Sequence, residues 1–271
     1  MARALRIPKV RVPTPKIPRL PNTNEPYEDV FEEMTLAEHL DELRSRIVKS
    51  CVSIAVGFIG GVIFAGPLLR LIVKQAQAES EGGFDIRSPT DPISIYFKIA
   101  LYIAIAFATP VLLWQIIGFL APGLTRKEKR LLFTSLPFVS LLFVAGSSYA
   151  FFFAAPRAFQ FLSSFQAGSF QWQPDGPEVI SFYLTLMIGL GIAFELPAVM
   201  FVIAKLNIVS AKKMSEYRRY AFVLVLVASA IITPSTDPIN MAIVAVPLYI
   251  LYELGLILGR IFTRKKPEIA S

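Results

Sequence analysis

The chain has 271 residues, of which 54% are apolar and only 17% charged, with a mean hydropathy of +0.57. Soluble domains carry roughly 25% charge, and this composition folded in water would expose too much apolar surface, so disorder, collagen, coiled coil and an ordinary soluble enzyme are excluded and a membrane protein remains. The 27 Lys and Arg against 20 Asp and Glu leave a net charge of +7, which fits nucleic acid, an anionic lipid surface or simple membrane orientation until position decides.

Residues 1–33 interleave Pro8, Pro13, Pro15, Pro18, Pro21 and Pro26 with Arg3, Arg6, Lys9, Arg11, Lys16 and Arg19. With no apolar core of a cleavable signal peptide, this stretch reads as an extended, disordered basic tail. It can touch anionic headgroups or serve as a solvated arm that helps fix orientation. Residues 34–262 form the membrane domain. Apolar segments at about 47–69, 93–119, 131–156, 179–204, 220–233 and 239–259 predict six transmembrane helices, each judged against the roughly 20 residues needed to cross the hydrocarbon. Lipid leaves no partner for free backbone groups, so the spans are helices, and no alternating pattern suggests a barrel. The last two spans are short, with uncharged stretches of only 220–236 and 238–252. The bilayer must thin beside them, or they must pack as a low hairpin. Residues 263–271 are a basic C-terminal tail.

Charge sets the direction. With the N-terminus in the cytoplasm, 22 of the 27 Lys and Arg fall on that side, and only Arg70, Lys74, Arg87, Arg157 and the bordering Lys98 on or near the other. Both termini are therefore expected in the cytoplasm. The same bias absorbs the net charge, so nucleic acid is not needed to explain it.

Several polar residues call for explanation. Thr35-Leu36-Ala37-Glu38 fits a capping box, and Leu36, Leu40, Leu43 and Ile47 form one apolar stripe able to lie on the interface. Glu42 either pairs with Arg46 as an exposed i,i+4 contact worth a few tenths of a kcal/mol or stands ready for a cation. Glu128 is the lone acid among Arg126, Lys127, Lys129 and Arg130; it serves the helix start, an intraloop ion pair or an incoming cation. Glu195 lies inside the fourth span beside Pro197. An intramembrane acid is expensive, so it either makes a satisfied interhelical hydrogen bond or marks a functional site. Glu253 is placed to reach water or Arg260, and Asp237, between Pro234 and Pro238, to cap the sixth helix. His39 reads as exposed, and Trp114 and Tyr102 as packing or interface anchors. Cys51 is the only cysteine. No phosphate loop, HExxH, GxSxG, paired catalytic acids or metal-ligand cluster is present in the sequence, so no catalytic residue, metal or cofactor is expected.

The string Glu38-His39-Leu40-Asp41-Glu42-Leu43-Arg44-Ser45-Arg46 resembles the N-terminal signature of the TatC family, the multi-spanning receptor subunits of twin-arginine protein translocases. Further strings agree in order. Phe119-Leu120-Ala121-Pro122-Gly123-Leu124 with Glu128 is similar to the family's first cytoplasmic loop, Phe194-Glu195-Leu196-Pro197 to its fourth span, and Thr233-Pro234 with Asp237 to its last external turn. Pro247, Tyr252 and Glu253 agree in the sixth span. The likeness covers about residues 34–262. It departs early in the sixth helix, where the family often carries a polar Gln or Ser pair and this chain has Asn240-Met241.

The resemblance implies an all-α, concave, glove-like bundle of the cytoplasmic membrane without enzymatic activity. It would bind twin-arginine signal peptides of folded precursors, recruit single-span TatA and TatB-like subunits among membrane lipids in an oligomeric complex, and drive export with the proton-motive force. Carried over residue by residue, it places the signal-peptide acids on Glu42 and Glu128, with Phe119, Leu43 and Arg44 beside them. The intramembrane polar site falls on Glu195, the external turn on Pro234 and Asp237, and contact with a partner helix on Thr233, Asn240 and Met241. Without the resemblance, the rival is a proton-coupled small-molecule transporter using Glu195 as a relay. Such proteins usually show repeated halves, and the two halves here differ in length and motif.

Overall fold

The computed structural model describes residues 35–78, 85–120, 124–165, 174–206, 208–235 and 237–262. The tail 1–33, Ala121, Pro122 and Gly123, and the C-terminal residues 263–271 lie outside the described residues.

Helix α1, Leu36–Ala78, has 43 residues, about 65 Å at the α-helical rise, and outruns the apolar stretch 47–69 at both ends. Its start is the expected capping box: the Thr35 N–H donates to Glu38 at 2.8 Å and the Glu38 N–H to the Thr35 hydroxyl at 3.3 Å. The Thr35 backbone bond holds the Glu38 carboxyl below the usual range. Leu36 and Leu40 are exposed, as a stripe on the membrane surface requires.

Lipid tails are as apolar as leucine, so close packing rather than hydrophobic burial draws helices together. On α1 the small residues Gly57 and Gly61 supply that closeness against α2, Asp91–Leu120. A Cβ on Gly57 would lie 2.9 Å from the Ala104 carbonyl oxygen, and one on Gly61 would collide with that of Ala100. The Tyr96 hydroxyl adds a bond to the Val62 carbonyl at 2.6 Å. Val52, Val56, Ile59 and Ile63 of α1 are exposed and face lipid.

The third span is longer than 131–156. Helix α3, Arg126–Tyr149, runs through one wide π turn, Ala150–Ala154, into α4, Ala155–Ser164. It starts early because Thr125 and Glu128 form a second capping box. It continues past Pro156 because that proline sits in the first turn of α4, directly after the wide turn, where its missing N–H does least harm. The Gln75 amide of α1 donates to the Phe151 carbonyl in that turn at 2.9 Å.

The fourth span, expected as one helix, is two: α5, Gly176–Ala193, and α6, Leu196–Lys205, separated at Phe194 and Glu195. Pro197 has no N–H to give to the Ala193 carbonyl, and its ring crowds that turn. Helix α5 is the buried centre of the bundle, with Ile180, Tyr183, Leu186 and Leu190 at most 2% exposed. A pair of backbone bonds, from Asp85 to Pro174 and from Gly176 to Asp85, ties the loop before α2 to the start of α5.

A short helix not anticipated from the sequence, α7 at Ala211–Glu216, is capped by the Ser210 hydroxyl. It leads into α8, Arg218–Ile232, and then α9, Pro238–Phe262. The expected pair of short spans is half corrected. With 15 residues, α8 covers only about 22 Å, but α9 has 25. Glu253 lies inside α9, as expected, and pairs with Arg218 of α8 at 2.6 Å, a partner that replaces the expected Arg260. Five helical stretches among the described residues are long and apolar enough to cross a membrane, and α8 is the short sixth.

Candidate functional site

The start of α1, the end of α2 and the start of α3 meet at one end of the bundle, the cytoplasmic end by the charge bias. Arg46 bridges the first two. Its guanidinium holds Glu42 Oε1 through both Nε, at 2.9 Å, and Nη2, and reaches Gln115 Oε1 of α2 at 3.4 Å. It lies over Gly118, where any Cβ would strike it. The Glu42 and Arg46 side chains are only 18% and 22% exposed, so the expected surface pair is a part-buried one. Glu42 Oε2 is buried and accepts no hydrogen bond among the described residues; His39 Nδ1 lies 3.9 Å from it. The His39 ring stacks on Phe119 at 4.3 Å between centroids and 17° between planes. Glu42 and Phe119 are thus brought together by a histidine expected to be merely exposed.

Leu43 is half-buried beside this group, and Arg44 is exposed. Glu128 stands at the same end, because Trp114 of α2 packs at a tilt against Phe133 of α3, 4.7 Å between ring centroids. Its carboxylate accepts the Thr125 N–H at 2.9 Å, which is the helix-start role among those open to it. His39, Gln115 and Gly118 were missed as members of the rim. The partners of His39 and Arg46 on α2 lie some 70 to 80 residues away in sequence, and no local pattern signals such contacts.

Glu195 stands half-buried at the break between α5 and α6, and its side chain makes no capping hydrogen bond there. Among the described residues it has no salt-bridge partner. The Phe194 ring beside it stacks on Tyr149 at 5.7 Å. At the opposite end, Asp237 caps α9: Oδ1 accepts the Asn240 N–H at 2.7 Å and Oδ2 the Asn240 amide at 2.9 Å. Asn240 also donates to Ser235 and is fully buried. Pro234 is exposed, Met241 half-buried and Thr233 buried. Thr233 Oγ1 and Asn240 Oδ1 accept no hydrogen bond among the described residues.

This is a polytopic helical membrane protein with an acid-bearing rim at one end and an acid at mid-span. The pattern of the family described as "Sec-independent protein translocase protein (TatC)" matches residues 38–247. The Sec-independent protein translocase protein TatC of Deinococcus radiodurans is 34% identical over 241 residues, covering 86% of this chain and 88% of its own length. That of Aquifex aeolicus is 35% identical over 240 residues, covering 87% and 99%. A crystal structure of the twin-arginine translocase receptor TatC superposes with a TM-score of 0.75 at 32% identity, covering 83% of this chain and all of that one. The chain belongs to the TatC family. It is a multi-pass inner-membrane protein of a translocase receptor family, not of an enzyme family.

Proposed function

We propose that the α1–α2–α3 rim is where this chain reads a twin-arginine signal, with Glu42 and Glu128 taking the two guanidiniums and Phe119, Leu43 and Arg44 bordering the peptide. The observation that carries the reading is the state of Glu42. Arg46 occupies one carboxylate oxygen, while the other is buried and accepts no hydrogen bond among the described residues. A buried acceptor without a donor is costly, and a guanidinium arriving from outside supplies the missing donor without evicting Arg46. Two adjacent guanidiniums cannot be deprotonated and favour planar, two-point carboxylate partners, so a second acid at the same end is required, and Glu128 is placed there.

Glu128 also caps α3, and the test separates the two roles. Glutamine at the third helical position keeps a capping box, so Glu128→Gln should leave thermal stability nearly unchanged and still lower crosslinking of a twin-arginine precursor. Glu128→Ala should lose both. Unchanged crosslinking in Glu128→Gln overturns the assignment of this acid.

The mid-span carboxyl of Glu195 serves as the polar site for an inserted signal peptide or a single-span TatA or TatB-like subunit in the assembled complex. Its position at a helix break without a salt-bridge partner supports this. Glu195→Gln should keep partner co-purification if the group acts as a hydrogen-bonder, whereas Glu195→Ala should reduce it; wild-type behaviour of both rejects the site. A second partner contact is assigned to Thr233, Asn240 and Met241, supported by the two buried acceptors there that lack donors.

A further inference from the structure

The apolar groove enclosed by α6, α7, α8 and α9 plays no part in the reading above. It measures about 600 Å³. Met200, Val225 and Leu248, all buried, line its floor, Leu196 its deep end, and the half-exposed Tyr217 and Tyr220 its mouth. The residues along it from Tyr217, at the start of α8, to Ala228 cover about 16 Å, the depth of a single leaflet. At the surface end α7 covers the groove, tied down by the Tyr252 hydroxyl on the Met214 carbonyl at 2.8 Å.

The mouth is cationic. The Arg219 guanidinium lies 4.9 Å from the centre of the Tyr220 ring and donates to its hydroxyl at 3.2 Å. It has no carboxylate partner among the described residues, whereas Arg218 is taken by Glu253. Lys212 and Lys213 on α7 are exposed. The walls therefore ask for hydrocarbon and the mouth for an anion. A transmembrane helix lying in the groove would have to pass α7 to reach the surface; a lipid chain ends inside. Lipids beside the short α8 must also bend inward to cover it, since a helix below membrane thickness draws the bilayer thinner.

We propose that this groove holds one acyl chain of an anionic phospholipid from the leaflet facing α7, with the phosphate on Arg219 and Lys213. The test is native mass spectrometry of the full chain in detergent, titrated with dioleoyl-phosphatidylglycerol or dioleoyl-phosphatidylcholine. Wild type should retain one phosphatidylglycerol in preference to phosphatidylcholine. The double variant Arg219→Gln/Lys213→Gln, altered only at exposed positions, should bind phosphatidylglycerol about ten- to thirtyfold more weakly. Ala221→Trp, which fills the groove, should lose the lipid altogether. Equal retention of both lipids by wild type, or full retention by the charge variant, overturns the proposal. So does an Ala221→Trp protein that keeps the lipid but sheds a single-span subunit, which would give the groove to a helix.

Discussion

Glu42→Gln is expected to weaken capture of a twin-arginine precursor by roughly ten- to a hundredfold. A hydrogen bond to a charged group contributes about 1.5–3 kcal/mol, and each 1.4 kcal/mol is about a factor of ten. The fold should survive, because glutamine retains an acceptor for Arg46, and Arg46 keeps its contact with Gln115 on α2. The informative experiment is a double-mutant cycle in which wild type and Glu42→Gln are each measured against the Arg-Arg precursor and its Lys-Lys version. Lysine keeps the charge and loses the planar fork. If Glu42 reads that fork, the change to Lys-Lys costs wild type much and Glu42→Gln little, a coupling of the kind groups in contact show. Simple addition of the two losses would mean that Glu42 supports the rim without touching the signal.

How far the sequence reveals this site depends on the range of each interaction. The two capping boxes, at Thr35–Glu38 and Thr125–Glu128, are local in sequence, and the structure forms both. The helix break at Glu195 was not anticipated, because the apolar run 179–204 continues through it and reads as one span, even though Pro197 acts only on the turn just before it. The apolar segments fall on the observed helices, but contacts between groups far apart along the chain could not be read from them. Gln75 of α1 bonds a carbonyl of the π turn beside which α4 passes Pro156, and Glu253, inside the expected sixth span, pairs with Arg218 of α8 rather than with Arg260. The pairing of His39 with Phe119 and the seat of Arg46 on Gly118 were invisible for that reason too. They follow from how α1 crosses α2, and the crossing is decided by glycine positions whose facing partners cannot be read from one helix alone.

That crossing yields the strongest expected structural effect. Gly61→Val should detach α1 from α2, because a Cβ at position 61 collides with the Ala100 carbonyl, a backbone atom that cannot rotate away. Overpacking of this kind costs about 1–3 kcal/mol, occasionally more, and α1 rests mainly on α2, with only small contacts to α4, α5 and the π turn to hold it otherwise. The unfolding temperature in detergent should fall. Capture of the twin-arginine precursor should fall with it, even though residue 61 lies about 28 Å along α1 from Glu42: Glu42 rides on one helix, Phe119 and Gln115 on the other. Gly60→Val is the matched control. It places the same side chain one residue away, where a Cβ meets no atom within 4 Å, and both stability and capture should stay close to wild type. Equal damage from the two substitutions would point to glycine's backbone freedom rather than close packing; no damage from Gly61→Val would mean that α1 is held to the bundle by something other than this crossing.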